Sequence, residues 1–194
     1  MMKYDPIIHH RRSIRLAGYD YTRAGAYYIT IVTWQREEIF GEVVNGEMQL
    51  SSMGRIAEEN WRLIPQHFSP AELEAFVVMP NHIHGIIILD DDTPRTGTTP
   101  APTRTGTIYR APTPTEQFQK PVSGSIPTIV RTYKASVSRR IQKEHHETNI
   151  WQRNYYEHII RDQADYERIA GYILSNPVNR DKDEVLPTKK QITP

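Results

Sequence analysis

The stretch VVMPNHIHGIIIL, residues 77–89, constrains the fold more than any other part of the chain. The apolar runs on either side of Pro80-Asn81 have the residue content of two buried strands joined by a tight turn, and such strands pair as antiparallel neighbours. A buried imidazole must find a hydrogen-bond partner or bind something, so His82 and His84 need a reason to be there. Strand side chains alternate between faces, which puts both rings on one face and Ile83 and Gly85 on the other. Two imidazoles side by side can hold one divalent ion. The same pair can equally be two hydrogen-bonded histidines of a core or an edge.

Composition narrows the alternatives. At 194 residues the chain is long enough for one domain with a real core, 1–194. Cysteine is absent, which excludes disulfides, iron–sulfur clusters, thiolate zinc sites and a cysteine nucleophile. Any metal must therefore use His, Asp, Glu, Asn or Gln. With 24 Lys+Arg against 23 Asp+Glu the net charge is +1, so a nucleic-acid partner has to be held by local basic patches rather than by the overall field. No apolar run approaches the roughly 18 to 20 residues that span a bilayer, and the basic N-terminal segment lacks the apolar centre of a secretory signal. The expectation is a cytoplasmic protein with no membrane partner.

Along the chain, AYYITIVTW (residues 26–34) reads as a buried strand, and Asn45-Gly46 in IFGEVVNGEMQL marks a hairpin. SSMGRIAEENWRLI begins at a capping serine, Ser51 or Ser52, places Met53, Ile56, Ala57 and Ile64 along one helical face, and is expected to stop at Pro65. Residues 90–124, rich in Thr and Pro and containing RTGT twice, read as a disordered insert within the domain. Order is expected to cover about 11–180, with a tail at 181–194. A helix capped by Ser125 follows, with Ile126, Ile129, Val130, Tyr133, Val137 and Ile141 on its apolar side. It also carries Arg131, Lys134, Arg139, Arg140 and Lys143, the most basic stretch of the chain. YYEHIIR reads as a strand. The last helix starts at Asp162, repeats Tyr166, Ile169, Ala170, Ile173 and Leu174 on one face, and ends at Pro177. The predicted fold class is α+β: a ferredoxin-like βαββαβ antiparallel sheet with an added N-terminal hairpin and a C-terminal helix.

That last helix supplies candidates to complete a site with the histidines. Tyr172 and Asn176 lie four residues apart, hence one above the other on the flank of the apolar stripe. From there Asn176 can offer an amide oxygen to a metal and Tyr172 a hydroxyl to a group bound by it. An aromatic core residue and a helix C-cap are the alternative readings of the two.

The motifs MPNHIHGIII, IVRTYKA, WQRNYYEHIIRD and YILSNP, in this order, resemble those of the bacterial REP-associated tyrosine transposases, within the single-tyrosine HUH (His-hydrophobic-His) transposase family. RRSIRLAGYDY and FGEVVNGEMQLSSMGRIAEENW add to the resemblance, which spans residues 11–177 apart from the insert. It implies a single-strand DNA endonuclease with a catalytic helix. The metal ligands it implies are His82, His84 and Asn176, the nucleophile is Tyr172, and the ion is magnesium or manganese. The implied reaction is cleavage and rejoining of single-stranded DNA near hairpins through a 5′-phosphotyrosine. A tyrosine hydroxyl, with an ordinary pKa of about 10, needs help to attack at neutral pH. The partner is single-stranded or hairpin DNA, with Lys134, Arg131, Arg139 and Arg140 as its expected contacts, assisted by Arg11, Arg12 and Arg15, and the protein is expected to act as a monomer or homodimer. Two rival readings are a non-catalytic single-stranded nucleic-acid-binding protein on the same fold and a metal-dependent hydrolase that does not need Tyr172. Glu157 and Asp165 are weaker candidates for a place near the metal.

Overall fold

An antiparallel sheet of four strands organises the structure, a computed structural model that describes residues 19–90 and 122–178. The Thr/Pro-rich insert between residues 91 and 121, the C-terminal tail, and Arg11, Arg12 and Arg15 lie outside the described residues. Along the chain run β1 (Gly25–Val32), β2 (Gly41–Val44), β3 (Glu47–Leu50), α1 (Ser52–Arg62), the one-turn α2 (Ile64–His67), β4 (Ala71–Met79), β5 (His82–Leu89), α3 (Ile126–His145), β6 (Tyr156–Ile160) and α4 (Gln163–Ser175). In space the sheet is ordered β4-β5-β1-β6, while β2 and β3 pair separately as a hairpin. Without the hairpin, α2 and α4, this is the ferredoxin-like βαββαβ arrangement.

Local chemistry accounts for the boundaries. Asn45 and Gly46 both take positive φ, 54° and 79°, as a two-residue hairpin turn requires. Ser51, Ser125 and Asp162 each accept a backbone N–H from the first turn of α1, α3 and α4, satisfying a donor that the helix itself cannot pair. Pro65 does not end the helical region as expected. It sits in the first turn of α2, where its missing N–H costs nothing.

The core lies mainly on one face of the sheet. Tyr27, Ile29 and Ile31 of β1 and Ile83 and Ile87 of β5 meet Ile56, Ala57 and Trp61 of α1 and Ile129, Val130, Tyr133, Val137 and Ile141 of α3, all buried. Gly85 makes this packing possible: a Cβ there would stand 2.3 Å from Cζ2 of Trp61, so the indole lies directly on the strand, stacked 4.8 Å from Phe76. The two helices are joined by polar clasps as well. Tyr133 donates to the carbonyl of Ala57 at 3.0 Å, and Asn60 donates to Ile56 O and accepts from Ser136. On the other face, among the described residues, α4 alone packs, with Ile169 and Ile173 against Ile86. Leu174, expected on the apolar side of α4, is 69 % exposed, because the stripe that reaches the sheet is narrow.

Candidate active site

The register of the central strands decides what surrounds the histidines. Thr30 is opposite His84 and Val32 opposite His82 across β1–β5, and Thr30 is opposite Tyr156 across β1–β6. His82, His84, Thr30, Tyr28 and Tyr156 therefore share the α4 face, a pleat away from the Ile83 side. Both histidines are buried, with ring centroids 4.5 Å apart.

Each ring is held through Nδ1. For His82 the partner is Asn81 Oδ1 at 2.7 Å; an amide oxygen only accepts, so Nδ1 carries the proton and the lone pair is on Nε2. Asn81 is itself fixed, since its carbonyl accepts from the backbone N–H and the hydroxyl of Thr33 at 2.9 and 2.8 Å. For His84, the hydroxyls of Tyr28 and Thr30 both lie 2.8 Å from Nδ1. With Nε2 turned to a metal, Nδ1–H donates to one of these oxygens, the arrangement that orients ligating histidines generally.

α4 is pinned across the sheet. At its start, His158 of β6 meets Asp165 at 2.8 Å; this contact, followed by Arg168, holds the Asp165 carboxyl below the usual range. Tyr166 donates to Glu74 of β4 at 3.0 Å. The helix then carries Tyr172 to His84, with Asn176 one turn further on. The Tyr172 ring lies 5.4 Å from the His84 ring at 60° and is 38 % exposed. Asn176 is 2 % exposed, and neither atom of its amide has a hydrogen-bond partner among the described residues. Leaving such a group unsatisfied costs about 1–3 kcal/mol.

Two imidazole nitrogens and an amide oxygen form a mixed donor set suited to a divalent cation. Among the described residues no group of three or more His, Asp or Glu side chains could hold one, and the buried amide of Asn176 is the further oxygen donor to which the sequence points.

Other candidates fall elsewhere. Arg131, Lys134, Arg139 and Arg140 belong to α3, whose apolar residues pack on the Ile83 face of the sheet. Lys134 donates to the carbonyls of Gln152 and Asn154 at 2.6 and 3.0 Å, and burial lowers its pKa to about 8. Arg140 pairs with Glu144 and Glu59. Glu157 lies opposite Ile29, on the far face from the histidines, and its carboxylate is buried without a hydrogen-bond partner among the described residues. Asp165 is engaged by His158 and Arg168 at the other end of α4. Sequence reasoning missed Tyr28, Thr30 and Asn81. Of these only Asn81, next to His82, left a local signal; the others reach His84 from 56 and 54 residues away.

Comparison with known proteins follows the same lines. The chain is 40 % identical over 183 residues to a Haemophilus influenzae protein described only as uncharacterized, covering 94 % of this chain and 97 % of that one. It is 25 % identical over 167 residues to another protein of that bacterium, named "Putative REP-associated tyrosine transposase", covering 86 % of this chain and 78 % of the relative. The solved structure of a REP-associated tyrosine transposase bound to a REP hairpin has the same fold, with a TM-score of 0.56 at 18 % identity, covering 86 % of this chain and 74 % of that one. No protein-family model matches the chain.

Proposed function

The chain belongs to one family with the 40 % identical Haemophilus influenzae protein and is related to the REP-associated tyrosine transposases, and from that premise we propose that it cleaves and rejoins single-stranded DNA beside hairpins, with Tyr172 as nucleophile. The observation that carries this reading is the half-exposed Tyr172 ring, 5.4 Å from His84, one helical turn from the buried amide of Asn176.

In the proposed reaction the Tyr172 oxygen attacks a backbone phosphorus. One P–O bond forms to tyrosine as the bond to the 3′ oxygen breaks, so the enzyme keeps the 5′ phosphate and the strand leaves with a 3′-hydroxyl. Tyr172 gives up its phenolic proton and the departing 3′ oxygen gains one. The new phosphodiester stores the energy of the old, so attack by another 3′-hydroxyl rejoins the DNA without an external energy source. His82, His84 and Asn176 are the residues that would hold a magnesium or manganese ion, which when bound neutralises charge on the phosphate oxygens. Asn81, Tyr28 and Thr30 keep the two imidazoles in place, which limits the reorganisation needed at the moment of attack.

The test is incubation with hairpin-bearing oligonucleotides taken from the flanks of the gene, with and without manganese, followed by denaturing electrophoresis. A protein–DNA adduct that disappears in Tyr172→Phe is the expected result. Binding with no adduct would make the chain a nucleic-acid-binding module, and cleavage undiminished in Tyr172→Phe would make it a hydrolase.

A further inference from the structure

α4 covers the histidine face of the sheet only in part. It begins against β6, where His158 meets Asp165, and lies mainly on β4 and β5, where Tyr166 reaches Glu74 and Ile173 packs with Ile86. Among the described residues it therefore leaves parts of β1 and β6 open beside the site at the histidine end. An aromatic row runs across this opening. Ring centroids are 5.4 Å apart from Tyr172 to His84, 5.4 Å from His84 to Tyr28, and 6.3 Å from Tyr28 to Tyr156. The inner members are hydrogen-bonded to each other, while the end members, Tyr172 and Tyr156, are 38 % and 37 % exposed. The Tyr156 hydroxyl makes no hydrogen bond among the described residues, and its ring meets Tyr28 at 72°, edge to face. A ring placed this way presents its surface at the far end of the row from Tyr172 without serving the core.

We infer that Tyr156 is a base-stacking residue of the DNA site: with the scissile phosphate at Tyr172, the strand passes over Tyr28 and a neighbouring base lies on the Tyr156 ring. The inference rests on the single-stranded-DNA reading above and adds the direction in which the strand leaves the site. Stacking suits this position because every base has a π-face, so an exposed aromatic can hold a strand in place without reading its sequence.

The experiment measures binding of a labelled oligothymidine of about 20 nucleotides by fluorescence anisotropy over a range of salt concentrations. Tyr156→Ala and Tyr156→Ile, the second keeping strand propensity, are expected to weaken binding about tenfold, and Tyr156→Phe to keep wild-type affinity. The slope of affinity against salt should be unchanged, since no phosphate contact is lost. An abasic strand of equal length should bind the wild type and Tyr156→Ala alike. Equal affinity of wild type and Tyr156→Ala for oligothymidine, failure of Tyr156→Phe to retain it, or no binding by the wild type overturns the inference. Adduct assays on the gene-flanking hairpins separate this outcome from the fate of the proposed function. An adduct-forming wild type with indifferent Tyr156 variants sinks stacking alone; a tenfold stacking effect without any adduct sinks the transesterase instead.

Discussion

Ile83 and His84 are consecutive residues of one strand, yet they meet opposite surroundings. Ile83 faces α1 and α3, a dry layer in which Trp61, Phe76 and Tyr133 interlock with branched aliphatic side chains. His84 faces α4, where only Ile86, Ile169 and Ile173 of the apolar cluster are fully buried among the described residues, Val77, Ile88 and Ile160 are partly so, and imidazole, hydroxyl and amide groups lie beside them. Buried apolar side chains contribute about 1.5–3 kcal/mol each, so the first face can supply the stability that the second forgoes. The division lets the histidine side keep an unsatisfied amide and an exposed tyrosine without threatening the fold.

The largest expected effect isolates chemistry from packing. Tyr172→Phe should remove all covalent attachment to DNA while leaving the urea midpoint where it was, because the lost hydroxyl belongs to a half-exposed ring. Next, the two faces should answer truncation differently. Trp61→Ala should cost about 3–5 kcal/mol in urea unfolding. Asn176→Leu should leave the metal-free protein as stable or about 1 kcal/mol more stable, yet not show the rise in melting temperature expected of the wild type with manganese. A large loss of stability in Asn176→Leu would show that the amide is structural and the contrast between the faces false.

A smaller, pH-dependent effect belongs to the first face. Burial lowers the Lys134 pKa from 10.5 to about 8, so between those values the unfolded chain holds a proton that the folded chain has released. Unfolding then takes up a proton, and stability rises with pH. Compared with Lys134→Met, the wild type should gain stability from pH 8 to 10.5 and show a flat difference below pH 8, as read from urea melts at fixed pH. Smallest of all, Arg131→Ala and Arg139→Ala should change affinity for oligothymidine by less than about threefold. A larger drop, with a shallower salt dependence, would mean that the strand wraps around the sheet to its other face.

Much of this was legible in the residues. The alternation in HIHGIIIL put both imidazoles on one side, Asn45-Gly46 placed the hairpin, and the spacing of Tyr172 and Asn176 put them on one flank of a helix. What could not be read was which face each helix covers. The cations of α3 stand out because basic composition is local, whereas the face on which their helix packs follows from the crossover. Lys134 is the clearest case: its charge was visible, but not the two carbonyls that occupy it. Tyr28 and Thr30 escaped for a related reason, since their bond to His84 depends on the pairing of β1 with β5 across more than fifty residues. Glu157 went to the wrong side by the same ignorance of face.

Gly85 ties the two faces together in phase. It is the one residue of β5 without a Cβ, and Trp61 rests where that atom would be. Sliding the strand by a single step would drive another side chain into the indole and turn the imidazoles toward the aliphatic layer. Alignment of the histidine side of this molecule is thus secured by a methyl group missing from its reverse.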